Sequence, residues 1–159
     1  VFKKLGKKQK NNKGFSLVEL IIVIAIMAIL VGIVGTQVLP YINKSKEAKD
    51  FQIINSYGTA ATTAYSSAAE KVTALTTVTM DDTPATTNST EPAKSLAAEI
   101  QKLTGYDTIT KDLNDKMGSK KGKTITKIVI TIDPVKDKTI KTQAYAGSEK
   151  VFDEVVTQL

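Results

Sequence analysis

The sequence contains no cysteine, histidine, tryptophan or arginine. Without cysteine the chain cannot form a disulfide framework. Without cysteine and histidine it also lacks the ligands of the common zinc sites and the partners of Ser-His and Cys-His catalytic pairs. Any catalysis would have to use carboxylates, lysine or tyrosine, so composition alone already disfavours most enzyme classes.

Positive charge is concentrated at one end of the chain. All 22 basic residues are lysine, and six of them lie within the first 14 residues, which contain no acidic residue. The other 16 lysines balance the 16 acidic residues, so the chain after residue 14 carries no net charge. The excess charge therefore describes a tail, and we do not expect a body that binds nucleic acid.

A long apolar stretch follows this tail. Residues 15–39 contain a single charged residue, Glu19. A helix of about 25 residues covers the roughly 30 Å hydrocarbon core of a bilayer, so the sequence predicts a membrane-spanning helix. The six lysines before it outweigh the net charge of +1 at residues 44–50, which predicts a cytoplasmic N-terminus and an external head. No small-x-small cleavage site follows Gly35, so we interpret the helix as a retained anchor.

The junction between tail and apolar stretch carries a specific motif. Residues 13–20 read KGFSLVEL. This motif, behind a short lysine-rich leader, resembles the type IV prepilins, and the resemblance covers roughly residues 1–55. It implies that a membrane aspartic prepilin peptidase cuts after Gly14, that the new N-terminal residue Phe15 is N-methylated, and that the product assembles into a filament. Glycine suits the cleavage position because a protease can approach its backbone closely.

Glu19 is the anomalous residue of the apolar stretch. A carboxylate inside hydrocarbon costs on the order of 2–3 kcal/mol on insertion scales, so it needs a partner. The resemblance implies an assembly role, in which Glu19 of one subunit pairs with the Phe15 amine that cleavage exposes on a neighbour and so fixes their register. The alternative is an interfacial carboxylate that reaches water.

Three residues near the end of the apolar stretch, Gly32, Gly35 and Pro40, are expected to interrupt the helix. Glycine disfavours helix by about 1 kcal/mol, and proline removes a backbone donor. We predict that this stretch unwinds locally in a filament and makes it extensible. The alternative is that these residues are only kinks or close-packing points.

Helical periodicity continues beyond the membrane segment. An apolar stripe with spacings of three and four predicts one helix from about Ser16 to the mid-70s. A threonine-rich loop, short helices and alternating strands follow, and we lean to a strand for residues 151–159. The predicted fold class is α+β, a long N-terminal helix on a small antiparallel sheet, as in the type IV pilins. The predicted segments are a cleaved leader (1–14), a membrane and filament-core helix (15–40), an amphipathic extension (41–76), a loop region with short helices (77–123) and a β-sheet head (124–159).

Two further motifs receive simpler interpretations. Residues 118–124, GSKKGKT, are one residue short of a phosphate-binding loop and lead into a strand, so we expect a solvated turn. The pairs Asp81/Asp82 and Asp133/Asp137 are too few to bind calcium on their own, and turn formation explains them.

We therefore expect a structural filament subunit with no catalytic residue, metal or cofactor. The expected partners are further copies of the chain, a prepilin peptidase, an assembly platform and its ATPase, and membrane lipid before assembly. The subunit would start in the cytoplasmic membrane and end in a cell-surface pilus used in adhesion or twitching motility. Alternatives are a pseudopilin of a type II secretion system, a competence pilin, or a single-pass membrane binding protein that never polymerises. The missing cysteines favour a Gram-positive source.

Overall fold

The computed structural model describes residues 14–159, so the predicted leader lies, apart from Gly14, outside the described residues. The chain divides into two compact units, with the boundary between Tyr41 and Ile42. The elements in chain order are α1 (Leu17–Ala68), β1 (Thr76–Met80), α2 (Pro84–Thr87), α3 (Ala93–Thr104), a π-helical turn (Ile109–Leu113), α4 (Asn114–Lys116), a 3-10 turn (Gly122–Thr124), β2 (Lys127–Asp133), β3 (Thr139–Ala146) and β4 (Glu149–Gln158).

The first unit is formed by the apolar N-terminal part of α1. This helix is long and apolar enough to cross a membrane, with a mean hydropathy of 3.2 over its most apolar window. Successive helical residues point about 100° apart, yet Ile22, Val23 and Ile24 are 52%, 47% and 55% exposed. The helix is therefore apolar on every face. Such a surface is stable only when lipid or protein covers it.

The second unit, Ile42–Leu159, contains the head. Its four strands form one antiparallel sheet in the order β1-β2-β3-β4. The predicted alternation in β2 is confirmed, because Ile128, Ile130 and Ile132 are fully buried. They join one apolar cluster with Ile54 and Tyr57 of α1. The C-terminal half of α1 thus packs on the sheet, and the α+β class expected from the sequence is confirmed.

The predicted end of the long helix was wrong. α1 ends at Ala68, and Leu75, expected on its buried stripe, is 64% exposed. The threonine-rich segment expected to be a loop begins with β1, whose Val78 pairs with Ile130 of β2. Valine and threonine fit a pleated surface, and pairing with β2 decided between loop and strand, which local composition could not do.

Other expectations for the head are confirmed. The predicted short helix is α3, which ends at Gly105 in the left-handed conformation that glycine adopts readily. Its Leu96, Ala97 and Ile100 are buried, but Leu103, which was also expected to point inward, is 45% exposed. The C-terminal segment is β4, paired with β3, so the preference for a strand was correct.

The pairing of β3 with β4 is irregular. The β3–β4 register shifts between Thr142 and Ala144, and Phe152 adopts a φ of 66°. The Gln143 side chain, which is 5% exposed, turns inward and donates to the carbonyl oxygens of Val151 and Phe152 at 3.3 and 3.1 Å. The buried amide thus compensates for backbone bonds that the irregular ladder loses.

Strand β2, one of the two interior strands of the sheet, should contribute strongly to the stability of the head. We expect Ile130→Ala to lower the free energy of unfolding by about 2–5 kcal/mol, because it removes a fully buried side chain and leaves a cavity. Val135→Ala is the control, since Val135 is 65% exposed in the β2–β3 turn. Pulse proteolysis of the full chain in detergent across a urea series measures both changes. Equal unfolding midpoints for the two variants would contradict this account of the core.

Candidate functional site

The N-terminus of α1 is closed by two reciprocal hydrogen bonds. The Ser16 backbone N–H donates to Glu19 Oε2 at 3.1 Å, and the Glu19 backbone N–H donates to Ser16 Oγ at 3.2 Å. This is a capping box, which pairs amides that a helix start leaves without partners. Its signature, serine followed three residues later by glutamate, was visible in the sequence but was not used to predict where the helix begins.

The capping box lowers the cost of placing the Glu19 carboxylate in an apolar segment. Its carboxylate already has a donor within its own chain, and a negative charge is favourable at a helix N-terminus. Only Oε2 takes part, and Oε1 accepts no hydrogen bond from residues 14–159. The arrangement therefore leaves one carboxylate oxygen open to a cation without loss of the cap.

Gly14 and Phe15 lie before the first turn of α1, outside any helix or strand. A Cβ added at Gly14 would meet no atom within 4 Å, so no packing contact in the described chain requires glycine there. Phe15 is 84% exposed. Both residues directly precede Ser16, so the residues predicted for processing and assembly lie at one end of α1.

The helix does not break at the residues expected to interrupt it. α1 is assigned as continuous through Gly32, Gly35 and Pro40. A Cβ at either glycine would meet nothing within 4 Å, and the Thr36 hydroxyl donates to the Gly32 and Ile33 carbonyls at 3.3 and 3.0 Å. The single chain is therefore helical at all three residues, and local unwinding in a filament stays a prediction.

The glycine-rich loop at residues 118–122 binds a carboxylate of its own chain. Asp50 of α1 is 1% exposed. Its Oδ1 accepts from the Gly118 N–H at 2.8 Å, and its Oδ2 accepts from the Ser119 N–H at 2.8 Å and from the Ser119 hydroxyl. The Gly122 N–H in turn donates to Ser119 Oγ at 2.9 Å. The loop expected to be a solvated turn is thus partly buried and holds an anion, although the anion is not a phosphate.

Gly122 owes its identity to this contact. A Cβ at Gly122 would lie 2.9 Å from Asp50 Cγ and closer still to Oδ2, so a side chain there must displace the carboxylate. Sequence reasoning missed Asp50 because it treated residues 44–50 only as flanking charge. The available signal was an acid next to Phe51, at the start of the buried stripe, where an unpaired carboxylate would be costly.

Asp81 and Asp133 bond to amides two or three residues ahead, as turn formation predicts, but Asp82 has a long-range role. Asp82 accepts from the backbone of Ile109 and Thr110, each at 2.8 Å, and so caps the π-helical turn. Donation from the Thr110 hydroxyl and backbone lowers the pKa of Asp82. Asp133 accepts from the Val135 and Lys136 amides in the β2–β3 turn, which lowers its pKa as well. Within residues 14–159, no group of three acidic side chains is arranged to hold a metal ion.

Comparison with known proteins supports the interpretation of the N-terminus. The family model described as the prokaryotic N-terminal methylation motif matches residues 9–35, which include Gly14, Phe15 and Glu19. The resemblance to type IV prepilins is confirmed over this segment, and the chain carries the signal of a type IV pilin-like precursor. Searches of curated proteins and of solved structures returned no match. Nothing in these comparisons supports the expected Gram-positive source.

The Asp50 contact should contribute strongly to the stability of the head. We expect Asp50→Asn to cost about 3 kcal/mol, because an amide group would face backbone donors that now bind a charged acceptor. Gly122→Ala should also destabilise, whereas Gly118→Ala is the matched control. A Cβ at Gly118 would make only ordinary contacts, at 3.7 Å or more, with Lys46 and Asp50. Urea unfolding of the full chain in detergent compares the three variants. A Gly118→Ala loss as large as that of Gly122→Ala would refute the role given to Gly122.

Proposed function

We propose that the chain is the precursor of a type IV pilus subunit. It inserts into the cytoplasmic membrane with its N-terminus inside and its head outside, and a prepilin peptidase cuts it between Gly14 and Phe15. Phe15 is then N-methylated, and the assembly platform and its ATPase polymerise the product into an extracellular filament. The role is structural, and the proposal assigns the chain no catalytic residue and no cofactor.

The observation that carries this proposal is the coincidence of two features. The methylation motif at residues 9–35 overlaps the beginning of a helix whose apolar side chains are exposed on every face. A helix of this kind needs lipid around it before assembly and other apolar helices around it afterwards. A filament core meets the second requirement, because each helix is surrounded by copies of itself.

The geometry at Glu19 supports an assembly role by chemistry as well as by position. Cleavage after Gly14 creates a positive amine on Phe15, and Glu19 Oε1 has no donor among the described residues. Pairing the two charges across subunits offsets the desolvation that each would suffer alone in the apolar core. Ser16 can keep its bond to Oε2 at the same time, so the helix cap and the intersubunit pair are compatible.

Two alternatives remain within the same class of protein, namely a pseudopilin of a type II secretion system and a competence pilin. Both would use the same leader, anchor and Glu19. The alternative from another class is a single-pass membrane binding protein that does not polymerise. Sheared surface filaments analysed by mass spectrometry test the proposal: abundant chain beginning with methylated Phe15 supports it. Native chain that keeps its leader and is found only in the membrane would contradict it.

Processing should depend on the side chain at position 14. We expect Gly14→Val to accumulate as uncleaved precursor, because a branched side chain blocks the close approach of the peptidase to the backbone. Gly6→Val, within the leader, is the control and should be processed normally. Electrophoretic mobility and N-terminal sequencing of membrane fractions report cleavage. Mature-sized Gly14→Val protein would exclude the assigned cleavage site.

Assembly should depend on the charge of Glu19 rather than on its helix cap. Glutamine can still accept the Ser16 N–H in a capping box but carries no charge. We therefore expect Glu19→Gln to insert into the membrane and to be processed, yet to yield little or no filament. Ser16→Ala removes one half of the cap, costs about 1 kcal/mol of helix stability, and should still assemble.

Filament yield after shearing, compared with the membrane pool, separates these outcomes. Normal filaments from Glu19→Gln together with defective filaments from Ser16→Ala would assign the capping box, and not the ion pair, to assembly.

A further inference from the structure

Five lysines surround the loop that binds Asp50. Lys46 and Lys49 project from α1, and Lys116, Lys120 and Lys121 lie on or beside the loop. Two adjacent surface depressions, of about 270 and 450 Å³, share Lys46 and Gly118 in their linings and together include all five lysines. We call this group the basic patch. All of its members are exposed.

No lysine of the basic patch forms a salt bridge with an acidic side chain among the described residues. The salt bridge found among residues 14–159 joins Lys141 to Asp137, away from the patch. Asp50 lies beneath the patch, but its oxygens are taken up by the loop donors. Glu47, which is half-buried, lines one depression and makes no salt bridge with the lysines. Lys121 stacks over the Phe152 ring with its Nζ 4.9 Å from the centroid, which holds one cation in place.

Chain length limits how far Lys46 can lie from the end of the apolar segment. Lys46 follows Leu39, at the end of the apolar segment, by seven residues. Seven residues span about 10 Å as a helix and at most about 25 Å when extended. The headgroup layer occupies roughly 5–8 Å on each side of the hydrocarbon core. The Asp50 contact then ties Lys120 and Lys121 to the same end of the head as Lys46.

We infer that the basic patch docks the head on anionic phospholipid headgroups of the membrane in which the precursor is anchored. This inference rests on the membrane insertion in the proposed function. Each lysine near an anionic surface changes the ratio of docked to undocked heads by about fivefold at moderate salt. Docking holds the head against the membrane until extraction into a filament exchanges the lipid contacts for contacts with neighbouring subunits. The Asp50–loop contact acts as the positioning element, since it places the loop lysines beside those of α1.

The absence of cysteine allows a single reporter to be placed on the head. A donor fluorophore at Thr124→Cys, beside the basic patch, is compared with one at Val135→Cys, in the turn at the opposite end of β2. The full chain is reconstituted in nanodiscs that carry an acceptor on a neutral lipid, with either phosphatidylcholine alone or about one third phosphatidylglycerol as the anionic component. We expect phosphatidylglycerol to raise energy transfer at position 124 more than at position 135. This difference should vanish at about 1 M salt, where the Debye length is about 3 Å.

Charge removal then tests the patch itself. Lys120→Gln with Lys121→Gln should lower the docked-to-undocked ratio about 25-fold in anionic discs, at about fivefold for each lysine. Lys46→Gln serves as a second variant that leaves the loop sequence intact. Lys94→Gln with Lys136→Gln is the control, since it removes the same charge from exposed sites outside the patch. Matching circular dichroism spectra establish that the heads remain folded.

Several outcomes would overturn the inference. Energy transfer that does not respond to phosphatidylglycerol, or that the control double variant lowers equally, excludes specific docking while leaving membrane insertion unaffected. Wild-type chain that fails to enter neutral discs removes both the inference and the proposed insertion. If the patch variants lose retention of duplex DNA while their energy transfer in anionic discs is unchanged, the patch is a nucleic-acid surface and the lipid assignment is wrong.

Discussion

The structure depends on one constraint, an apolar helix whose side chains stay exposed among residues 14–159. Ile22, Val23 and Ile24 point in different directions, yet each is about half exposed. The hydrophobic effect makes that surface unfavourable in water, so the first unit is complete only in lipid or among copies of itself. In the proposed function the helix lies first in lipid and then among copies of itself. It must therefore be stable in the membrane and still be able to leave it. The capping box at Ser16 and Glu19 serves the first condition by satisfying backbone donors at the helix start.

The head meets a different constraint, because it must fold with a buried acid in its core. Asp50 is accepted there since a loop supplies donors in the geometry that a carboxylate requires, and Gly122 leaves the space for it. The same contact positions Lys120 and Lys121 beside Lys46. One buried hydrogen-bonded carboxylate therefore links the stability of the head to the arrangement of its basic surface, which explains how a loop resembling a phosphate site can serve a structural role.

Much of the architecture follows from local pattern. The β2 alternation of Ile128, Ile130 and Ile132, the helix that became α3 and its glycine stop at Gly105 were all predictable, because each depends on periodicity or on the conformational range of one residue. The errors share another cause. The start of β1 at Thr76 depends on pairing with β2, some fifty residues away. The β3–β4 irregularity depends on where Gln143 finds buried carbonyl groups.

The amino-acid sequence by itself determined the membrane segment, the motif at Gly14, Phe15 and Glu19, and the α+β class. These features arise from local hydrophobicity, charge and spacing, which need no knowledge of distant neighbours. Only the tertiary structure decided that Asp50 meets the 118–122 loop, where Gly122 leaves space for its carboxylate, and that the surrounding lysines form one patch. Those relations join residues nearly seventy positions apart, and hydrogen bonds between such positions form only once the core has brought their elements together.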